Sequence, residues 1–192
     1  MNRSLDSFLD ALLDPTSDLA MAAAALPALA SERSEVDVFE PRLRRMIYKG
    51  DSALHLAAMA YRADGIALMT RLGVPIDAVN RRGNQPLHLA AEGGPGGPTW
   101  VEAAQLRTME ALIDRGANPN AKNKDGATPL HRAVRSRCAE AVRLLIEKSA
   151  DPRIRTKNGS DAARLAEVSS GRSGSGSKEA RSQRERIASL LA

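Results

Sequence analysis

Three stretches of this chain copy one another: GDSALHLAA beginning at Gly50, GNQPLHLAA at Gly83 and GATPLHRAV at Gly126, with a fainter GSDAARLAE at Gly159. These glycines are separated by 33, 43 and 33 residues. A period of about 20–50 residues constrains a fold more than any local pattern, because each copy is one supersecondary unit too small to bury its own apolar face. Such units must stack on their neighbours, and the two ends of the stack need caps. Gly73 and Gly116 lie ten residues before Gly83 and Gly126, each closing an apolar helical pattern, and Ser149 holds that place before Gly159.

Within a copy the signals of a helix pair are legible. Thr128 is a helix-capping residue type, and Pro129 sits at the first helical position, where no backbone N–H is needed. Leu130, Ala133 and Val134 then share one face, and Leu144, Leu145 and Ile146 are the second helix's contribution. The turn after the second helix calls for a left-handed residue. Gly116 supplies it, whereas Ser149 adopts it at a cost of about 1 kcal/mol.

The second copy is longer than its neighbours. From His131 to Leu145 is 14 residues, but from His88 to the equivalent Leu112 is 24. The extra ten lie in GGPGGPTWVEAAQ. A glycine-rich run after an apolar helix could cradle phosphate, but that needs a preceding strand and a Gly-Lys-Ser/Thr ending, and neither is present. It is an insertion, placed at 93–104. Thr99 with Glu102 three residues on reads as a capping box, which starts the second helix near Trp100.

ATPLHRA and LIDRGANPNAKNKDG, within the copies spanning Gly50 to Ala166, are nearly unaltered from the pattern of the ankyrin repeat, which the chain resembles. The resemblance implies an all-α fold: an ankyrin-repeat solenoid of stacked helix-turn-helix units with short β-hairpin-like fingers. About four repeats are expected, at 47–79, 80–122, 123–155 and 156–192. The last is a degenerate cap with a Gly/Ser loop at 169–178, and its second helix is expected at about 179–191, where Ile187, Leu190 and Leu191 match Met109, Leu112 and Ile113. Residues 1–40 form a helical N-terminal cap. Leu5, Phe8, Leu9, Leu12 and Leu13 have helical spacing, and residues 16–39 are expected to add one or two helices before Pro41.

Composition agrees with helix packed on helix: aromatics are 3% of the 192 residues and alanine and leucine dominate. No apolar run approaches the roughly 18 residues of a membrane span. The apolar stretch Ala20–Ala30 follows four aspartates rather than a basic region, which argues against a signal peptide. A single cysteine, Cys138, excludes an internal disulfide framework. A soluble monomer in the cytoplasm is expected, with a secreted effector as the alternative. Charge is uneven. Residues 1–40 carry eight acids and two bases, a net of −6, so with +5 overall the remainder carries +11. An acidic segment on a basic body is either a surface for a second partner or a mask for the first.

No catalytic constellation emerges. His55, His88 and His131 invite a metal reading, but one per stacked unit places them too far apart to share an ion at about 2 Å per bond. In the ankyrin pattern this histidine ties one repeat to the next. Cys138 reads as a small buried thiol. No enzyme, metal or cofactor is expected, and a deep pocket with convergent polar groups would argue otherwise.

The resemblance implies binding through a concave face of fingers and first helices. Just before the repeat glycines stand Tyr48 and Lys49, Arg81 and Arg82, Lys124 and Asp125, and Lys157 and Asn158; four before stand Met46, Val79, Lys122 and Arg155. On the first helices the outward positions are Met59 and Ala60, Glu92 and Gly93, and Arg135 and Ser136. A basic face of Arg81, Arg82, Lys122, Lys124, Arg132, Arg135, Arg155 and Lys157 follows, with Trp100 either an exposed anchor or folded back over the insertion. Where the family carries a finger aspartate, three before the glycine, this chain has Ile47, Asn80, Asn123 and Thr156, which makes the first finger doubtful as a regular hairpin. The function expected is a non-catalytic protein-binding module, an adaptor or inhibitor docking an acidic partner surface, in a bacterial setting. Nucleic-acid binding through the same face is the alternative, disfavoured by the scarcity of aromatics.

Overall fold

A computed structural model describes residues 3–14, 16–26, 28–95, 100–167 and 178–192. Ten helices and one two-stranded hairpin are found among them. The helices pair as α1 (Arg3–Leu13) and α2 (Leu19–Ala24), α3 (Ala53–Met59) and α4 (Ala63–Arg71), α5 (Pro86–Ala91) and α6 (Glu102–Ile113), α7 (Pro129–Arg135) and α8 (Ala139–Glu147), and α9 (Ala162–Glu167) and α10 (Lys178–Leu191). First helices pack in one row, α1 on α3, α3 on α5, α5 on α7 and α7 on α9. Second helices pack in the other, α2 on α4, α4 on α6, α6 on α8 and α8 on α10. The result is a solenoid whose first pair is the N-terminal cap and whose last closes the C-terminal end.

The core is a continuous strip. Leu5, Phe8, Leu9 and Leu12 of α1 are buried against α3, and Ile187 of α10 is buried at the far end. Ala57, Ala58, Ala90, Ala91 and Ala133 are buried along the first-helix row, where a methyl group lets neighbouring backbones approach. Asp18 caps α2, accepting from the N–H groups of Ala20 at 2.8 Å and Met21 at 3.2 Å.

The three histidines carry the joints. Each Nδ1 accepts the backbone N–H of its helix N-cap: Ser52 to His55 at 3.1 Å, Gln85 to His88 at 3.2 Å and Thr128 to His131 at 3.1 Å. Each Nε2 then reaches a carbonyl of the following repeat, Asn84 at 3.0 Å, Ala127 at 3.1 Å and Ser160 at 3.3 Å. One nitrogen accepts and the other donates, so the ring must be neutral. Burial holds all three below the usual imidazole range, His88 at about 4.

The first finger differs from expectation. It is a regular antiparallel hairpin of β1 (Val38–Glu40) and β2 (Arg45–Ile47), with Phe39 opposite Met46, and it crosses the expected boundary at 40/41. Asp37 does the work of the missing finger aspartate, accepting the N–H of Lys49 at 2.8 Å. Glu40 accepts that of Arg42 in the hairpin turn at 3.0 Å, and Asp51 that of Tyr48 at 2.6 Å. Ile47 is thereby free to be apolar and is fully buried. Among the described residues of 16–39, the helix is Leu19–Ala24.

The insertion cuts α5 short, and side chains satisfy the backbone that the lost turn leaves open. Where α3 and α7 end, left-handed Tyr61 and Arg137 lead into backbone bonds from Arg62 to Ala57 and from Cys138 to Ala133. At the end of α5 three side chains stand in. Arg45 donates to the Leu89 carbonyl at 2.7 Å, Gln105 to Ala90 at 3.0 Å and Ala91 at 3.3 Å, and Tyr61 to Glu92 at 2.8 Å. The loop then leaves through Gly93, where a Cβ would lie 2.2 Å from the Cys138 sulfur, so no larger residue fits. Helix α6 begins at Glu102, two residues later than expected, with Val101 as its N-cap; the Thr99 capping box lies outside the described residues.

Candidate binding face

The fingers are joined into a ladder by one backbone hydrogen bond per step. The N–H of Arg81 donates to Lys49 O at 2.7 Å, that of Lys124 to Arg82 O at 3.0 Å and that of Lys157 to Asp125 O at 2.9 Å. Every rung links corresponding residues, so the fingers stack in register. Glycine is required where they meet. Gly83 and Gly126 have φ of +73, and a Cβ on either would lie 2.9 and 3.0 Å from the next rung's nitrogen.

Side chains reinforce the ladder. Asn80 Oδ1 accepts the N–H groups of Arg82 and Asn84, at 2.9 and 3.1 Å, and Asn123 Oδ1 accepts those of Asp125 and Ala127, both at 2.9 Å. An aspartate would cap these turns equally well. The amide adds a donor toward the preceding repeat: Asn80 Nδ2 reaches Asp51 Oδ1 at 2.8 Å, and Asn123 Nδ2 reaches Asn84 Oδ1 at 2.9 Å.

The basic residues on this frame fall into two groups. On the second finger Arg81 and Arg82 are engaged within the chain. Both guanidinium groups stack on the ring of Tyr48, 5.7 and 5.4 Å from its centre, while Arg81 pairs with Asp37 and Arg82 approaches Asp125 at 3.4 Å. Tyr48 is thus the residue that orders both arginines. Arg132 on α7 is held as well: its side chain is only 15% exposed, donates to Asn84 Oδ1 at 3.1 Å and lies 3.6 Å from Glu92. Arg155 lies 3.6 Å from Asp161. In the second group Lys122, Lys124, Lys157 and Arg135 are exposed and have no acidic partner among the described residues.

Other positions are turned inward. Trp100 is half-buried, its indole N–H donated to Gln105 Oε1 at 2.8 Å, and the exposed residue beside it is Val101. Met59, expected to face outward, is buried. Among the described residues, the acid of the N-terminal segment that pairs with the second finger is Asp37. Asp37 accepts the N–H of Lys49 at 2.8 Å and pairs with Arg81, and that backbone donor, then Arg81, holds its carboxyl below the usual range. Asp10 pairs instead with Arg42, Asp14 is satisfied by Thr16 and Ser17, and Asp18 caps α2.

Burial pushes the Cys138 thiol up to about 12, leaving no thiolate near neutral pH. No group of His, Cys, Asp and Glu among the described residues is placed to hold a metal ion, and no helix among them is long and apolar enough to cross a membrane.

Comparison with known proteins agrees with this geometry. The family model described as "Ankyrin repeats (3 copies)" matches residues 99–172. Ankyrin repeat and SOCS box protein 6 of Homo sapiens is 32% identical over 115 residues, 56% of this chain and 25% of that protein. B-cell lymphoma 3 protein of Homo sapiens is 35% identical over 98 residues, 51% of this chain and 20% of that one. Tyrosine-protein kinase Shark of Drosophila melanogaster is 36% identical over 111 residues, 57% of this chain and 11% of that one. The chain thus spans a quarter or less of the length of these relatives, and since all three are animal proteins they lend no support to a bacterial setting. Repeat register, joint histidines, helix rows and family match agree: this chain is built of ankyrin repeats.

Proposed function

We propose that this chain docks an acidic surface of a partner protein through its third and fourth fingers, as an adaptor or an inhibitor of that partner. One observation carries the reading. The backbone rungs hold the third finger, with Lys122 and Lys124, in register with the fourth, with Lys157, and among the described residues no acid pairs with any of the three. Unpaired like charges held on a rigid frame repel one another and gain most from an incoming carboxylate cluster. Arg81 and Arg82, occupied by Asp37, Asp125 and Tyr48, border this site rather than form its centre.

Affinity capture from a lysate of the source organism at physiological salt, with and without nuclease, tests the reading. Wild type is expected to retain a nuclease-resistant protein that Lys122→Glu/Lys124→Glu/Lys157→Glu does not. Equal retention by both would place the site elsewhere, and material lost to nuclease would favour nucleic acid.

A further inference from the structure

The same finger row changes character along its length. The residues four before the repeat glycines run Met46, Val79, Lys122, Arg155, two apolar and then two basic. Register fixed by the rungs places them at equivalent points on successive fingers. Phe39 adds to the apolar end. Directly opposite residues of an antiparallel pair project from the same face, so Phe39 sits beside Met46, while Val38 and Glu40 share the other face with Ile47 and Arg45. Ile47 and Glu40 are buried; Phe39 is 55% exposed, Met46 37% and Val79 56%. Phe39, Met46 and Val79 are three of the eight most exposed large apolar side chains among the described residues. A cluster of this kind rimmed by charge marks an interaction surface more often than scattered apolar residues do.

Charge decides what such a surface takes. Asp37 and Glu40, which flank Val38 and Phe39, are already matched, the first by the Lys49 N–H and Arg81 and the second by Arg42, so neither sets the sign of the face. Beyond Val79 the side chains in line are Lys122 and Arg155, with Lys124 and Lys157 two residues further along the same fingers. A nucleic acid would satisfy the lysines with phosphate but leave Met46 and Val79 facing a charged chain. Successive fingers stand about 10 Å apart, which an extended peptide covers in about three residues.

We propose that the finger face binds an extended segment of another protein in which a large apolar side chain seats on Phe39, Met46 and Val79 and acidic side chains, about three to nine residues away, meet Lys122, Lys124 and Lys157. This rests on the basic-finger reading above and adds the apolar anchor and its spacing.

Panning a phage-displayed library of random 12-residue peptides against the full chain at physiological salt tests it. The expected clones combine a large apolar residue with two or more acids at that spacing. The best clone, and the same peptide with its apolar residue changed to Ser, are then titrated by fluorescence anisotropy against wild type, Phe39→Ser/Met46→Ser/Val79→Ser, Val79→Ser alone, and Lys122→Glu/Lys124→Glu/Lys157→Glu. The triple serine variant should weaken the parent peptide about tenfold or more while leaving the serine peptide unchanged. Val79→Ser lies outside the hairpin, so a smaller loss there in the same direction answers any concern about folding. Purely acidic clones, or a parent peptide indifferent to both serine variants, would overturn the anchor and leave the basic face standing. Clones indifferent to lysine reversal, or no enrichment, would overturn both.

Discussion

Asn80 donates its side-chain N–H to Asp51 across the joint between the first two fingers, Nδ2 to Oδ1 at 2.8 Å, with both residues buried. The finger aspartate usual in the family would set two carboxylates against each other here. Asn80→Asp is therefore expected to destabilise the chain by about 3 kcal/mol at neutral pH, although it restores the family pattern. Burial already raises the Asp51 carboxyl above its usual range, so the deficit should shrink as the solution is acidified and the pair takes up a proton. Urea melts at pH 7 and pH 4 check this. Unchanged stability at pH 7 would contradict the pairing.

Ser149 has φ of +67, a left-handed conformation in which its Cβ crowds the following carbonyl. Its carbonyl accepts from Asn120 at 2.9 Å, and that bond does not depend on the side chain. Ser149→Gly should raise Tm by about 2–4 °C, matching about 1 kcal/mol. A fall would show that the serine side chain holds the turn in some other way.

Gln105 is the hub of the insertion: buried, it donates to two carbonyls of α5 and accepts from the only tryptophan. Gln105→Leu keeps much of the volume and removes every one of these bonds, leaving the Ala90 carbonyl and the Trp100 N–H without their partner while Ala91 keeps the N–H of Gly93. A loss of about 2 kcal/mol and a red shift of tryptophan emission are expected. Unchanged emission would mean that Trp100 is held by packing alone.

The neutral histidines make stability fall with acid. His88 is held near 4 when folded and titrates near 6.5 in a free chain. Between those values the unfolded state binds more protons, so stability is full above pH 6.5 and lost as pH falls toward 4, by about 3 kcal/mol. His55 and His131 act in the same direction, whereas the raised carboxyl of Asp51 opposes them. His88→Gln should flatten this part of the pH–stability curve. A curve as steep as that of wild type would assign the loss to other groups.

Much of the fold was legible because its signals recur. Four glycines in register, three histidines at one offset and proline at the first helical position announced stacked helix pairs, and the expected C-terminal helix is Lys178–Leu191. What escaped the sequence depends on contacts between elements far apart in the chain. Val38–Glu40 is too short to read as a strand until Arg45–Ile47 pairs with it. The capping of α5 draws Arg45 from β2, Tyr61 from the turn after α3 and Gln105 from α6. On the face, net charge pointed to the basic fingers but could not say which cations were already matched; the pairing of Arg81 with Asp37 and the shared stacking on Tyr48 are tertiary facts. Leu5, Phe8, Leu9 and Leu12 are core residues, so removing α1 would uncover the first repeat as well as take away its acids.

The central claim is that the binding charge resides on the third and fourth fingers rather than on the second. It is tested most directly by the association rate of the captured partner, measured against salt, for Lys122→Glu/Lys124→Glu/Lys157→Glu beside Arg81→Glu/Arg82→Glu. The account predicts that the lysine variant loses about tenfold or more in rate at low salt and most of the salt dependence, with a smaller loss for the arginine variant. The reverse order, or a rate indifferent to salt in wild type, would contradict it.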